Sequence, residues 1–159
     1  MLLHITGSTK KNRVLVNSAA WYFAEKLMGK RLLDTLEINI NLKHNMSEKT
    51  GCEGTAIWTF WDDLKKTPRD FTLELDSSMS IRNILINLAH EMVHVKQFTR
   101  GELKHTTAIT AKRWHNKEYN ESNYWNCPWE IEAYGRELGL FTMWVEKLDI
   151  KGKFTEDPT

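Results

Sequence analysis

The residues best suited to chemistry in this 159-residue chain lie in one pentapeptide, His90-Glu91-Met92-Val93-His94. On an α-helix, two histidines four positions apart are separated by one turn, with about 6 Å between them. That spacing lets two neutral imidazoles bind the same metal ion, and the pattern is typical of zinc sites. The glutamate between them would then lie beside the ion, where a carboxylate can act as a general base.

The surrounding segment, residues 81–98, is predicted to form an amphipathic helix. It contains no Pro or Gly, and Ser80 before it is a favourable N-cap residue. Its predicted apolar face contains Ile81, Ile84, Leu85, Leu88, Met92 and Val95. Both histidines fall on the opposite, polar face, which argues against core histidines. Surface histidines without a metal remain the alternative interpretation.

Composition limits the classes of function that the chain could have. The 22 Lys and Arg residues balance 21 Asp and Glu residues, so the charge gives no support to nucleic-acid binding. No apolar run suits a signal peptide or reaches the ~20 residues of a membrane span. Because Cys52 and Cys127 are the only cysteines, we expect a reducing, cytoplasmic location. We expect a single monomeric domain over residues 1–159.

The N-terminal half predicts a helix followed by a small sheet. Residues 12–28 carry a rough helical stripe of apolar side chains. Residues 36–42 and 71–76 alternate apolar and polar side chains, as half-buried strands do, and residues 55–61 are apolar on both faces. Residues 43–54 are polar and are predicted to be a loop. These elements indicate an α+β fold with a three-stranded or slightly larger sheet laid against helices.

The C-terminal half predicts a hairpin or flap and a final helix. Residues 107–114 and 119–125 are rich in Thr, Tyr and Trp, and residues 115–117 could turn between them. The final helix is predicted to begin at Pro128, a residue favoured in the first helical turn, and to end near Leu148.

A catalytic zinc ion usually has three protein ligands and one position open to water, so the two histidines need a third partner. The candidates are His105, His115, Glu130 and Glu132. On a helical wheel, Glu130 shares the apolar face of the final helix with Tyr134, Leu138, Phe141, Val145 and Leu148. Glu132 falls on a more exposed side. A buried carboxylate is costly unless it is paired or bound to a metal, which favours Glu130. Alternatively, Glu130 could stabilise the final helix without a metal, because a negative charge in the first turn interacts favourably with the helix dipole.

Two segments resemble known peptidases. Residues 90–97, HEMVHVKQ, match the zincin signature, and residues 127–137, CPWEIEAYGRE, resemble the glutamate-bearing helix of the gluzincins. In Ste24-type and immunity-repressor-cleaving peptidases that helix reads E-x-x-A-D or E-x-x-A-N, and its first Glu binds the metal. This resemblance implies Glu130 as third ligand, with Tyr134 in place of Asp or Asn. The thermolysin-like pattern, with the ligand Glu directly before Ala, would instead imply Glu132.

Residues 80–140 as a whole are also similar to small HExxH proteins of bacteriophages. The resemblance implies a small zincin-like metallopeptidase domain, in the host cytoplasm if the chain is phage-encoded. Lys96 departs from the extended zincin pattern, which usually has an apolar residue there. The SprT-like proteases share HEMVH, but they use a third histidine in an H-G-x-x-F type segment that His105 and His115 fit poorly.

The sequence therefore predicts a zinc metallopeptidase. His90, His94 and Glu130 would bind Zn²⁺, and Glu91 would deprotonate a water that attacks a peptide carbonyl. Candidates for stabilising the transition state are Tyr134, His115 and Tyr119, and candidates for holding the outer ring nitrogens are Asn83, Asn87 or an acidic residue. The substrate would be an extended peptide or protein segment bound at an edge strand, either residues 55–61 or the hairpin.

Three other interpretations remain open on these residues. The chain could be a zinc-binding interaction domain without turnover, although a structural site has no use for the base Glu91 and closes all four ligand positions. It could be a nuclease or another zinc hydrolase, which the flat charge balance disfavours. It could also be a helix–sheet domain with no metal site.

Overall fold

The computed structural model describes residues 1–58, 67–106, 111–120 and 122–149, and across these residues the chain has an α+β fold. The helices are α1 (Lys10–Leu27), α2 (Lys30–Leu33), α3 (Met46–Thr50), α4 (Ile81–Thr99) and α5 (Pro128–Lys147). The strands are β1 (Leu2–Gly7), β2 (Glu37–Lys43), β3 (Gly54–Trp58), β4 (Asp70–Asp76), β5 (Leu103–His105), β6 (Ala111–Trp114) and β7 (Lys117–Asn120). A 3-10 turn, Tyr124–Asn126, precedes α5.

The larger sheet has four strands in the order β1-β2-β4-β3. β1, β2 and β4 are parallel, and β3 pairs antiparallel with β4. The alternation predicted for β2 and β4 is confirmed, because Ile38, Ile40, Phe71 and Leu73 are fully buried in the core. The prediction that the chain begins with a helix was wrong, because β1 precedes α1. β1 is an edge strand whose first residue, Leu2, is 61% exposed, so it lacks a clear apolar alternation.

Helix α4 lies at the centre of the molecule and packs against α1, α5, β3 and β4. The Ser80 hydroxyl accepts a hydrogen bond from the backbone N–H of Asn83, so the predicted N-cap is confirmed. The apolar face is buried as predicted except at its first residue, Ile81, which is half-buried. The polar face is also buried from His90 onwards, where α5 packs against α4, whereas Asn83 near the start of the helix is exposed. A conventional amphipathic helix would leave that face in water.

The smaller sheet is an antiparallel arrangement of β5, β6 and β7. β6 and β7 form the predicted hairpin, and its two turn residues, His115 and Asn116, both have positive φ, as tight two-residue turns require. Residues 107–110 and 121 lie outside the described residues. The second predicted strand, 119–125, was wrong in its latter part, because residues 124–126 form a 3-10 turn.

Two other boundaries differ from prediction. Residues 54–58 form β3, whereas the predicted end of that strand, residues 59–61, lies outside the described residues. The loop predicted over residues 43–54 contains the short helix α3, which ends at Gly51 in a left-handed conformation. No helix within the described residues is long and apolar enough to cross a lipid bilayer.

Helix α5 begins at Pro128, as predicted, and buries a face that overlaps the predicted one, at Glu130, Phe141 and Val145, but is shifted from it. Its buried side chains are Trp129, Glu130, Ala133, Leu140, Phe141, Trp144 and Val145. Tyr134, Leu138 and Leu148 were assigned to the apolar face but are 42%, 53% and 40% exposed. The buried face is shifted because α5 packs against both α4 and α1, and the Trp144 indole donates a hydrogen bond to the Ser18 hydroxyl on α1.

Candidate metal centre

Helices α4 and α5 bring His90, His94 and Glu130 together, and we call this group the histidine cluster. The Nε2 atoms of the two histidines are 3.1 Å apart, and Glu130 Oε2 lies 3.3 Å from His90 Nε2 and 3.4 Å from His94 Nε2. All three residues are buried, with exposed fractions of 6–9%. The three residues are therefore close enough to hold one metal ion.

The separations in the histidine cluster fit a tetrahedral zinc ion. Nitrogen and oxygen ligands about 2.0–2.2 Å from zinc, at tetrahedral angles, lie roughly 3.3–3.6 Å from one another. The observed separations of 3.1, 3.3 and 3.4 Å are close to this range. Two imidazole nitrogens and one carboxylate oxygen are also donors that zinc prefers. The residues present therefore fit zinc.

The outer nitrogen of each imidazole has an acceptor behind it. His90 Nδ1 lies 2.9 Å from Glu137 Oε2, and His94 Nδ1 lies 2.8 Å from Gln97 Oε1. An acceptor at Nδ1 favours a proton there and leaves the Nε2 lone pair free for a metal. The sequence analysis anticipated an acidic residue in this role without naming Glu137. That residue follows Glu130 by seven positions, two turns along the same helix face, which was a usable signal.

The two asparagines considered for that role lie elsewhere. The Asn87 side chain donates to Glu53 Oε2 at 3.3 Å, and the backbone of Asn83 is the donor to the Ser80 cap. Neither contact involves an imidazole.

Electrostatics in the histidine cluster favour a positive charge. Burial opposes protonation of His90, but Glu130, Glu137 and Glu91 outweigh it and raise the pKa of His90 to about 9. Burial also opposes ionisation of Glu130, but hydrogen bonds from His90, His94 and Tyr124 lower its pKa below the usual value. The positive charge can be a proton on His90 or a bound cation, and binding a cation requires that the proton leave.

Glu91 lies on α4 next to the histidine cluster and beneath β3. It is 6% exposed, and burial raises its pKa above the usual value. A Cβ atom placed on Gly54 would lie 2.9 Å from Glu91 Oε1, so the strand approaches the carboxylate as closely as its bare glycine allows. A buried carboxylate with a raised pKa is suited to accept a proton. The sequence analysis did not anticipate the role of Gly54.

Two tyrosines border the histidine cluster. The Tyr124 hydroxyl donates to Glu130 Oε2 at 2.8 Å, and the Tyr134 ring contacts the His90 ring at a centroid distance of 4.5 Å. Burial and the hydrogen bonds with Tyr134 and Glu130 raise the pKa of Tyr124, which therefore stays a donor. The sequence analysis missed Tyr124, which lies in the turn before α5, where no periodic pattern marks it. Of the other candidates, Tyr119 packs on Trp129 and His115 on Trp114.

The remaining third-ligand candidates have other partners. Glu132 accepts hydrogen bonds from Lys96 at 2.7 Å, from Gln97 at 3.0 Å and from Arg136 at 2.9 Å. His105 stacks on Phe98. Within the described part of the chain, the histidine cluster is the only group of three possible ligands that lie this close.

Lys96, which departs from the zincin pattern, is 7% exposed and lies between two carboxylates. Its Nζ atom is 2.7 Å from Glu102 Oε2 and 2.7 Å from Glu132 Oε1. We call Lys96, Glu102 and Glu132 the lysine cluster. A charged residue is tolerated at this buried position because two half-buried carboxylates pair with it.

Comparison with known proteins identifies no relative of this chain. No protein-family model matches it, and no curated protein and no solved structure matches it either. The donor atoms of the histidine cluster, the acceptors behind its imidazoles and the buried carboxylate of Glu91 are therefore the observations that bear on function.

Proposed function

We propose that this protein is a zinc metallopeptidase of the gluzincin type. His90, His94 and Glu130 would hold the zinc ion, and Glu91 would act as general base. The observation that carries the proposal is the meeting of three suitable donor atoms at 3.1–3.4 Å beside a buried carboxylate whose pKa is raised. A metal ion beside a general base is the arrangement that hydrolysis requires, whereas a purely structural site does not need a base.

The surrounding elements support a small zincin-like domain. Helix α4 carries both histidines and the base, α5 carries the third ligand, and β3 runs along the edge of the sheet beside α4. Within the described residues β3 pairs with β4 alone. Its other edge could therefore bind an extended peptide by strand addition. Gly54 lies on this strand, so a peptide bound there would pass close to Glu91.

The proposed reaction divides the work among residues of this chain. When bound, zinc supplies a Lewis acid that polarises the peptide carbonyl and lowers the pKa of a coordinated water to about 7. Glu91 takes the proton from the attacking water and delivers it to the departing amine. The Tyr124 hydroxyl donates its single hydrogen to Glu130 Oε2 and so holds this carboxylate in position as a ligand. Glu137 and Gln97 keep the imidazoles in the required orientation.

The interaction-domain alternative is less well supported. A structural zinc site closes all four positions with protein ligands. Among the described residues, the histidine cluster provides three possible ligands. The buried carboxylate of Glu91, between the two histidines in sequence, could act as a general base, and a structural site would not need one.

The test is the Glu91→Gln variant, which keeps the size of the side chain and removes the base. We expect one zinc per chain in both wild type and variant, and cleavage of a peptide library that falls by about 10²–10⁴-fold in the variant. Glu25→Gln, an exposed position on α1, is the matched control and should behave as wild type. Undiminished cleavage by Glu91→Gln would contradict the assigned base, and zinc-loaded wild type without any cleavage would contradict the peptidase.

A further inference from the structure

Most of the large apolar side chains that are exposed in the described chain lie between residues 124 and 148. Three of them form what we call the aromatic wall: Tyr124, Trp125 and Tyr134, with exposed fractions of 46%, 69% and 42%. Their ring centroids are 5.3–6.5 Å apart, so the three rings contact one another. An exposed patch of this kind marks a binding surface more often than a lone exposed side chain does.

The aromatic wall is attached to the histidine cluster at two points. Tyr124 donates its hydroxyl hydrogen to Glu130, and the Tyr134 ring lies against His90. Its position relative to the three ligand atoms is therefore set by direct contact. Glu91 and Gly54 mark the β3 side of the same cluster. A peptide that reaches the histidine cluster along β3 would thus meet the wall on the α5 side of the cluster.

The apolar surface continues beyond the wall along α5. Ile131 and Leu138 share a helix face with Tyr134 and are 57% and 53% exposed. Gly135 lies among them, and a Cβ atom there would meet no atom of the described residues within 4 Å, so this glycine leaves open space beside the wall.

We propose that the aromatic wall is the specificity site of this peptidase and that it binds a large apolar side chain, aromatic or long aliphatic, next to the scissile bond. This inference rests on the proposed function. Tyrosine and tryptophan provide large apolar area with little loss of side-chain freedom, and paired rings favour edge-to-face or offset contacts. A lysine side chain could also lie over the rings. However, the carboxylates next to the wall, Glu130 and Glu137, already pair with the histidines. Within the part of the chain that the structure describes, an ammonium group bound at the wall would therefore lack a carboxylate partner there, which favours an apolar side chain.

The test uses dipeptide hydroxamates, which bind a zinc ion without being cleaved, with Phe, Leu, Ala, Glu or Lys as the variable side chain. Their affinities for the zinc-loaded protein are measured by titration calorimetry. We expect the Phe and Leu compounds to bind about 10–200-fold more tightly than the Ala compound, the range typical of apolar pockets. In Trp125→Ala this preference should largely disappear while the affinity of the Ala compound is retained. Trp125→Phe should keep most of the preference.

Met143→Ala is the matched control, because Met143 is also exposed on α5 and lies outside the wall. It should leave the preference unchanged. Equal affinities for all side chains, tightest binding of the Lys compound, or an unchanged preference in Trp125→Ala would each overturn the aromatic wall as an apolar specificity site.

The proposed function and the wall fail in different ways. Side-chain preference among the hydroxamates without cleavage of any peptide would leave the wall standing and remove the peptidase. Cleavage of peptides without side-chain preference would support the peptidase and overturn the wall as its specificity site. Zinc content measured on the same samples separates a missing metal ion from a missing specificity site, and absence of zinc would overturn both.

Discussion

The contact between α4 and α5 contains two polar regions, which hold a buried and a half-buried carboxylate in different ways. Glu130 belongs to the histidine cluster and Glu132 to the lysine cluster, only two positions along the same helix. Burial opposes ionisation of both, and hydrogen bonds lower the pKa of both. The difference lies in the source of positive charge. Lys96 provides a permanent cation for Glu132, whereas the imidazoles beside Glu130 must either gain a proton or share a metal ion.

This difference explains why Glu130 is available to bind a metal ion and Glu132 is not. The lysine cluster is electrically complete, with one ammonium group between two carboxylates and Arg136 at its edge. The histidine cluster is not complete in this sense. Within the described residues no Lys or Arg pairs with Glu130 or Glu137. A buried carboxylate without a permanent counter-charge is therefore the better indicator of a metal site.

The largest difference between the two clusters is expected when Glu130 and Glu132 are each replaced by glutamine, which removes the charge and keeps the size of the side chain. Glu130→Gln should weaken zinc binding by more than the roughly 10–100-fold typical of losing an outer partner, because a charged ligand is lost. Glu132→Gln should bind zinc as wild type does, but its free energy of unfolding without metal should fall by about 1.5–3 kcal/mol. Chelator competition and urea unfolding measure the two quantities. The reverse result would assign Glu132 as the ligand, as the thermolysin-like pattern implies.

A smaller effect is expected at the acceptor behind His90. Glu137→Ala should weaken zinc binding by about 10–100-fold, because the imidazole loses the group that orients it. Glu137→Gln keeps an acceptor oxygen for Nδ1–H and should recover part of that loss. If both variants bind zinc like wild type in the same competition assay, Glu137 has no positioning role.

Asp76 is a third kind of carboxylate, fully buried and held by neutral donors among the residues that the structure describes. The backbone N–H and hydroxyl groups of Ser47 and Ser78 all donate to it. Although burial opposes its ionisation, these bonds lower its pKa below the usual 3.8. The folded-state pKa is thus below the unfolded-state value, so the stabilisation is present above about pH 4 and is lost as the pH falls through the folded-state value.

We therefore expect Asp76→Asn to reduce the free energy of unfolding by about 2 kcal/mol at pH 7, in line with hydrogen bonds to charged groups. The difference from wild type should shrink in acid, and zinc binding should not change. Urea unfolding at pH 7 and pH 3 checks both statements. A pH-independent difference would mean that packing, and not the charge, accounts for the role of Asp76.

Local patterns were enough to predict strand β2 and the two helices that carry the histidine cluster. The period-two alternation of β2, the Ser80 cap of α4 and the first-turn Pro128 of α5 each depend on residues that are close in sequence, and the structure agrees with each. The buried position of Glu130 was also predicted, although the helical wheel assigned exposed residues such as Leu138 to the same face. A wheel assumes one neighbour, whereas α5 has two.

The features that sequence patterns did not provide depend on how distant elements meet. Glu137 reaches His90 because α5 crosses α4 in a particular register, and Tyr124 reaches Glu130 from a turn with no periodicity. Gly54 matters only because β3 lies over α4. None of these contacts follows from the types of adjacent residues.

The placement of the three ligands on two helices has a consequence for the lifetime of the protein. Glu130 follows His94 by 36 residues, so a cation held by both would close a large loop that contains the smaller sheet and two residues of the aromatic wall, Tyr124 and Trp125. Ligand at a hundredfold excess over its Kd stabilises a folded state by about 2.7 kcal/mol. If zinc is that cation, a cell short of zinc would hold a form that opens more often, and degradation of that form would make zinc supply a control on the amount of the protein.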